Sequence, residues 1–453
     1  MVDGLFRSSQ TNNCCVLNLL RRTFDFPPHA IALKFAINLE DRHMLFPVIL
    51  KSTIRTGSLR LIDGAGRTHV YGDGTAPHCT VRLRARHLDY TLALNPELSI
   101  GEAYMNGLLT VEDGTLYDLL EIAARNLQNF DKMPWFSLLS RMMRRLKQYN
   151  PIDRARRNVA HHYDLSDQLY DLFLDSDRQY SCAYFINASD SLETAQENKK
   201  RHIAAKLLLD RPGLNVLDIG SGWGGLGLYL AEEAGADVTG VTLSVEQHKK
   251  SEARAAAAGL ADRARFQLRD YRQVAGEYDR IVSVGMFEHV GKKNYDEFFA
   301  KLNGLLREDG VALLHAIGFS DAPGPINPFI RKYIFPGADL ASLSEVCSAA
   351  ERSGLIATDV EILRLHYAET LRHWRRRFMA NRQRVAALYD ERFCRMWEFY
   401  LVLCEIGFRF RSMMVFQIQL AKQSDTVPLT RDYMVDWERE HMPAPRRYTR
   451  AAE

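Results

Sequence analysis

The period of apolar and polar positions changes more than once along this chain. From Met44, MLFPVILKSTIRTGSLRLIDGAGRTHVYGDG sets short strand-like runs between glycine turns. TVRLRARHLDYTLAL (80–94) alternates at period two, which predicts a half-buried strand. LSIGEAYMNGLLTVEDGTLYDLLEIAARNL (98–127) carries apolar residues three and four apart and predicts helix. From about residue 200, LNVLDIG, ADVTGVTLS, ARFQLRDY, YDRIVSVGMF and GVALLHAIG alternate with helical segments. That pattern predicts a doubly wound parallel sheet with ligands at the carboxyl ends of its strands. Leu371 to Lys422 is predicted helical and is rich in aromatics. The expected organisation is a poorly ordered N-terminal extension (1–43), a small α/β domain (44–130), a basic linker (131–157), a large α/β domain with helical additions (158–425) and a tail (426–453).

Composition narrows the partners. The chain has 453 residues, 46% of them hydrophobic and 25% charged, an ordinary globular mixture. A net charge of +3 is too small to argue for nucleic acid. The basic residues are clustered, however. Arg141, Arg144, Arg145, Lys147, Arg154, Arg156 and Arg157 stand against the single acid Asp153, next to Trp135 and Phe136, and RHWRRR (372–377) forms a second cluster. Each is either a solvated helix face or a contact for an anionic surface such as phospholipid headgroups. Seven cysteines without a CxxC spacing suggest neither a disulfide framework nor a zinc site, which fits a reducing cytosol. No apolar run approaches the roughly 18 residues that span a bilayer, and the N-terminus lacks a signal pattern. The expectation is a soluble cytoplasmic protein that touches membranes from outside.

The chemistry gathers at LDIGSGWGGLGLYLA (217–231). Here a strand breaks into Gly220, Gly222, Gly224 and Gly225 and resumes as an apolar helix. Such a turn lets the backbone approach a ligand closely. A nicotinamide site would place its third glycine one residue later and an acid about twenty residues on. This chain has G-x-G-x-G-G preceded by Asp218, and its next strand ends in GVTLSVEQ, with Thr242, Ser244 and Gln247 where a carboxylate is usual. Both cofactor classes remain open at this point, and the compact turn resembles an S-adenosylmethionine (SAM) site more than a dinucleotide site.

The flanking segments carry a family resemblance. ARRNVAHHYDLSDQLYDLFLDSDRQYSCAYF (155–185), VTLSVEQ, VGMFEHVG (284–291), LLHAIG (313–318), RKYIFPGADLAS (331–342) and HYAETLRHW (366–374) together resemble the cyclopropane-fatty-acyl-phospholipid synthases. Relatives of these enzymes are the mycolic-acid cyclopropane synthases and fatty-acyl C-methyltransferases. The resemblance runs from about Met44 to Lys422. It implies a Rossmann-like SAM-dependent methyltransferase sheet with a smaller N-terminal α/β domain. It also implies an activity: a methylene from SAM is added across a cis double bond of an acyl chain already esterified in phospholipid. Implied with it are a substrate at a membrane surface, a peripheral location at the inner face, no nucleic acid and no metal, with a homodimer left open. This chain has Ser221 where the family commonly has cysteine, and the family usually begins near Met44.

The resemblance also assigns residues. Cys182, Glu288, His315, the backbone of Ile317, and Tyr367 match a cage that holds a bicarbonate ion acting as base. Taken alone, His315 at the end of a buried strand reads as a satisfied core histidine; its matching partners change that reading. Histidine, tyrosine, cysteine and a main-chain N–H can all donate to an anion. Glu288 can orient the imidazole or take the ion's own proton. Cys182 could instead be a nucleophile, but the reaction needs no covalent adduct. Cys404 matches another family cysteine, in an apolar stretch where an inert thiol is the commoner case. For SAM, the glycines approach the amino-acid portion, Tyr180 and Ser181 reach from the preceding segment, Thr242 and Gln247 serve ribose or adenine, and Asp270 and Tyr271 serve the adenine, unless these last two form only a surface turn.

Alkene attack on the sulfonium methyl leaves a cation on the acyl chain, so the pocket must be apolar and aromatic. Tyr163, Tyr180, Phe185, Phe287, Phe319 and Tyr333 are available for that wall. Two other readings stay open: methyl transfer without ring closure, giving a methylated or methylene-bearing chain, and a non-catalytic lipid-binding scaffold. Double-bond position and headgroup are not legible in the chain.

Overall fold

Residues 45–131, 166–321, 324 and 326–442 are described by the computed structural model. The 1–43 extension, Trp135, Phe136, the Arg141–Arg157 cluster, Tyr163 and the end of the tail lie outside them. Strands β5 (Asn215–Ile219), β6 (Asp237–Thr242), β7 (Ala264–Leu268), β8 (Tyr278–Val284), β9 (Leu306–Phe319), β10 (Ala341–Ser342), β11 (Ile356–Ile362) and β12 (Met413–Ala421) form an eight-stranded sheet. Its order is β11-β12-β9-β8-β5-β6-β7, with β10 beside β9. The run from β9 to β7 is parallel, whereas β12 is antiparallel to both β9 and β11. The expected parallel sheet thus carries an antiparallel margin, and residues 413–421 are strand rather than the helix expected for this stretch.

Both faces of the sheet are covered, and the strands show it residue by residue. Val216 packs on one side with Leu226, Leu230 and Phe266, while Leu217 and Ile219 pack on the other with Phe298 and Phe416. Val282 and Ile281 divide in the same way, as do Leu313 and Leu314. Side chains alternate across a strand, so a strand buried on both faces reads as a continuous apolar run. The order reverses at β5, which has β8 on one side and β6 on the other. The crevice outside such a switch point is where open α/β sheets bind ligands.

A four-stranded sheet precedes it: β1 (Ser58–Ile62), β2 (Thr68–Gly72), β3 (His78–Leu83) and β4 (Leu109–Asp113), in the order β2-β1-β3-β4. Two expectations fail here. The alternating run stops as strand at Leu83, and Leu88–Leu94 is helix. The stretch read as continuous helix is Pro96–Met105, then β4, then Leu116–Arg125. Gly107 (φ +70) and Gly114 (φ +80) bracket β4 in left-handed turns, which interrupts a helical period that the apolar spacing alone suggests.

The helix Pro96–Met105 leans on the larger sheet's additions. Tyr104 Oη donates to Glu398 at 2.9 Å, and Glu102 accepts from Lys332 at 2.6 Å and Tyr333 at 2.7 Å. A Cβ on Gly101 would stand 2.4 Å from Phe329 and 2.8 Å from Phe399. Alanine there gains about 1 kcal/mol of helix propensity, but overpacking costs about 1–3 kcal/mol, and at so short an approach the second effect dominates. G101A should lower the thermal midpoint by a few degrees; an unchanged or raised midpoint would show that the helix can back away.

Candidate active site

The carboxyl ends of β5, β6, β8 and β9 converge on one crevice. After β5 the chain enters the glycine turn, with Gly220, Gly222 and Gly224 at φ +87, +57 and +81, a region favourable only to glycine. These glycines do different jobs. A Cβ on Gly220 would strike Met286 at 2.8 Å, and one on Gly224 would strike Phe266 and Ser251, each at 2.8 Å. A Cβ on Gly222 meets nothing within 4 Å, so this turn residue alone faces open space. Asp218 is buried, its Oδ2 has no hydrogen-bond partner, and burial pushes its carboxyl up to about 7 against the Lys199 charge. Ser221 Oγ is likewise buried without a partner.

At the end of β6, Thr242 donates to Gln247 Oε1 at 2.9 Å, and Ser244 caps the following helix by accepting from the Gln247 N–H. These side chains therefore engage one another, and what they leave at the rim is apolar: Leu243 and Leu268 are 67% and 48% exposed, with Leu268 in register beside Thr242. Asp270 pairs with Arg272 at 2.5 Å and caps the short turn Tyr271–Gln273, while the Tyr271 ring meets Phe298 edge-on. Those are features of a structured surface turn.

The ends of β8 and β9 bring Glu288 against the backbone of Ile317. Glu288 lies in the short turn Phe287–His289, and its Oε1 accepts the Ile317 N–H at 2.6 Å. Its partner is thus the backbone of β9; in this structure Glu288 does not orient the imidazole. Glu288 Oε2 is buried and unpartnered, and burial pushes the carboxyl up to about 7. His315 takes its orientation from Gln417, a fully buried side chain on β12 whose amide N–H donates to His315 Nδ1 at 3.1 Å. With the amide in this orientation, the ring proton falls on Nε2. Burial, aided by the Lys199 charge, pushes the imidazole down to about 3, so it is neutral.

Burial raises the Cys182 thiol and the Tyr367 hydroxyl well above their ordinary values, and Cys404 up to about 12. Cys404, Cys182 and Glu288 lie near enough to the Tyr367 hydroxyl to oppose its ionisation. Neither thiol carries thiolate near neutrality, which removes the nucleophile's basic requirement.

An aromatic wall adjoins these residues. Trp374 is fully buried, 5.1 Å from the Tyr180 ring and 5.8 Å from Tyr367, and the Tyr180 and Tyr400 hydroxyls share a hydrogen bond of 2.9 Å. Of the aromatics proposed for this wall, Phe287 is core instead, packed on Tyr295, Phe298 and Phe299. Tyr333 bonds to Glu102, and Phe185 stacks on His366 and His373. Trp374 and Tyr400 escaped the reading, although Tyr367 and Trp374 are seven apart on one helix and Trp397 and Tyr400 three apart on another, spacings that put them on shared faces. The second basic cluster is largely paired: Arg372 with Glu369, Arg375 with Glu405 and Arg377 with Glu193. Among the described residues no helix is long and apolar enough to cross a membrane, and no His, Cys, Asp and Glu group could hold a metal.

A model of the mycolic acid cyclopropane synthetase family matches residues 151–418. The chain belongs to that family. It is a SAM-dependent methyltransferase. Residues 55–133 match a second model, a domain of unknown function. Cyclopropane-fatty-acyl-phospholipid synthase of Escherichia coli is 36% identical over 352 residues, 77% of this chain and 89% of that one. A tuberculostearic acid methyltransferase of Mycobacterium tuberculosis is 37% identical over 401 residues, 83% of this chain and 90% of that one. The solved cyclopropane synthase MmaA2 from Mycobacterium tuberculosis superposes with a TM-score of 0.57 at 32% identity, over 61% of this chain and all (100%) of its own. The mycolic acid cyclopropane synthase CmaA1, solved with SAH, has a TM-score of 0.56 at 35% identity, over 60% of this chain and 99% of its own.

Glu288 gives a test by stability. Its folded value lies above the ordinary 4.5, so the stability it contributes is present below 4.5 and lost as pH rises through about 7. E288Q keeps an oxygen for the Ile317 N–H but cannot ionise. It should become more stable than wild type between pH 5 and 8, by on the order of 2–3 kcal/mol at the upper end. Parallel melting curves across that range would sink the assignment.

Gly222 gives a test by binding. Valine there must adopt a strained left-handed backbone and fills the open space beside the turn. G222V should lose SAM affinity by more than tenfold in calorimetry, and wild-type affinity would exclude the turn as the SAM contact.

Proposed function

We propose that this protein transfers a methylene from SAM to the cis double bond of an unsaturated acyl chain in a phospholipid, closing a cyclopropane ring, with bicarbonate as the base. The observation that supports this reading is the buried Glu288 carboxyl at the ends of β8 and β9, which holds the Ile317 N–H with one oxygen and leaves the other unpartnered. Burial holds His315 neutral and the Tyr367 hydroxyl and Cys182 thiol protonated, the thiol donating to the Ala183 carbonyl at 3.4 Å, while Glu288 Oε2 is buried without a partner. Neutral donors with one orphaned acceptor suit an anion that keeps a proton of its own. Bicarbonate held there supplies a base for the new methyl group.

SAM fits the neighbouring turn on three counts: the open space at Gly222, the orphaned Ser221 hydroxyl, and the exposed Leu243 and Leu268 at the rim, an apolar seat for an adenine ring. When bound it supplies an electrophilic sulfonium methyl. The chain's own part is to hold the alkene against that methyl, keep water out, and offer π faces to the cation left on the acyl chain. Trp374, Tyr180, Tyr367 and Tyr400 form that wall, worth about 2 kcal/mol per desolvated contact. The relatives' lipid activities support a lipid substrate, reached by docking at the inner membrane surface through the Arg141–Arg157 stretch.

The test follows from the cage. Removing dissolved CO2 and bicarbonate should slow the wild type and adding it back should restore the rate. E288Q and H315A should bind SAM yet turn over about 10²–10⁴-fold more slowly, and C182A should recover in part with added bicarbonate. Full wild-type activity without bicarbonate, with E288Q still slow, would move the base to the protein. Fragmentation or NMR of the lipid product distinguishes ring from branch, and a branched product would favour C-methyl transfer without closure.

A further inference from the structure

The helix Leu192–Lys206 carries a buried cation that the mechanism does not use. Lys199 is 1% exposed. Its neighbour Lys200 is ion-paired to Asp177 at 2.9 Å and Glu197 at 2.7 Å, as buried lysines usually are. Lys199 Nζ instead donates to two neutral oxygens, Gln179 Oε1 and, at 2.8 Å, Ser181 Oγ. Three residues earlier on the same helix face, Gln196 donates its amide to the carbonyls of Gln179 at 3.2 Å and Ser181 at 3.1 Å. Beside Gln196, the Ala195 carbonyl accepts the Tyr184 N–H at 2.9 Å. One helix therefore grips the segment Gln179–Tyr184 by side chain and main chain together.

That segment is one that needs holding. It follows Arg178, a non-glycine residue at φ +55 kept in place by Asp167 and Asp171. It presses on the glycine turn so closely that a Cβ on Gly225 would lie 2.4 Å from Gln179 Nε2 and 2.5 Å from Asp177 Oδ2. Tyr180, Ser181 and Cys182 run consecutively along it, so the SAM contacts and a cage member share one support. The groups that act on the ammonium are Asp175, Asp177, Lys200 and the Cys182 thiol, and its own charge reaches Asp218 and His315. A dry ammonium with neutral partners lowers fold stability, so what it holds explains its presence better than what it stabilises.

We propose that Lys199, backed by Gln196, is a positioning residue for SAM: it fixes Ser181 and Gln179 so that Tyr180–Cys182 meets the glycine turn in receiving geometry. The inference rests on the reading of Tyr180 and Ser181 as SAM contacts. Burial pulls the ammonium down to about 8 against the charges of Asp175 and Asp177, so its proton is lost within reach of a binding experiment.

The experiment is calorimetry of SAM binding to wild type, K199M, S181A and the double variant, from about pH 6.5 to 9.5. Losing hydrogen bonds from a charged donor should raise the K199M Kd by about tenfold or more. The double variant should bind like K199M alone, because residues acting through one contact are not additive. The wild-type Kd should rise as pH passes about 8, with that step absent from K199M, and KM for SAM should rise more than kcat falls. K199M binding like wild type while S181A binds weakly overturns the role of Lys199 and leaves that of Ser181. S181A at wild-type affinity overturns the SAM reading of Ser181 and the inference with it. Additive losses, or a pH step that survives in K199M, reduce Lys199 to a structural residue. K199Q, which keeps a shorter donor, carries the same outcomes if K199M does not fold.

Discussion

A carboxyl group kept dry against a main-chain N–H is the constraint on which the rest turns. Glu288 reaches from beyond the end of β8 to Ile317 on β9, and this bond of 2.6 Å extends the ladder that already pairs the two strands. It leaves the second oxygen without a partner in a place water does not reach. Every neighbour then follows the same rule. Where charge is expensive, histidine gives up its proton, thiol and phenol keep theirs, and the carboxyl is pushed up to about 7. The result is a set of uncharged buried groups, with the Tyr367 ring packed 5.8 Å from Trp374.

How much of this was legible beforehand differs by element. Gly220, Gly222 and Gly224 announced a turn because strand, glycines and apolar helix follow within fifteen residues, and each takes a positive φ. The parallel strands were legible because burial on both faces writes a plain apolar run. The margin at β12 was not: MMVFQIQLA carries Gln417 and Gln419 inside a buried strand, and both glutamines are occupied by partners distant in the chain, His315 for the first and Tyr433 for the second. Nothing local records such a partner. The same reason hides the Glu288–Ile317 bond, which depends on two strand ends being adjacent. Phe287 was misplaced for the opposite reason, since an aromatic beside a site residue looks functional until its ring is seen among Phe298 and Phe299.

Charge was the least transferable signal. RHWRRR reads as a cationic face, yet Arg375 and Arg377 reach Glu405 and Glu193 on other elements. Pairing of this kind removes long-range attraction for an anionic surface and replaces it with local cohesion, at modest strength per pair where solvent enters. Clusters in one dimension do not add in three.

The absent side chain at Gly101 sets how near the two sheets' attachments can come. Phe329 and Phe399 close on bare backbone there, so the helix Pro96–Met105 and the aromatics of the larger half fit at a depth fixed by one missing carbon, and growth on either side has to be answered by a smaller residue opposite.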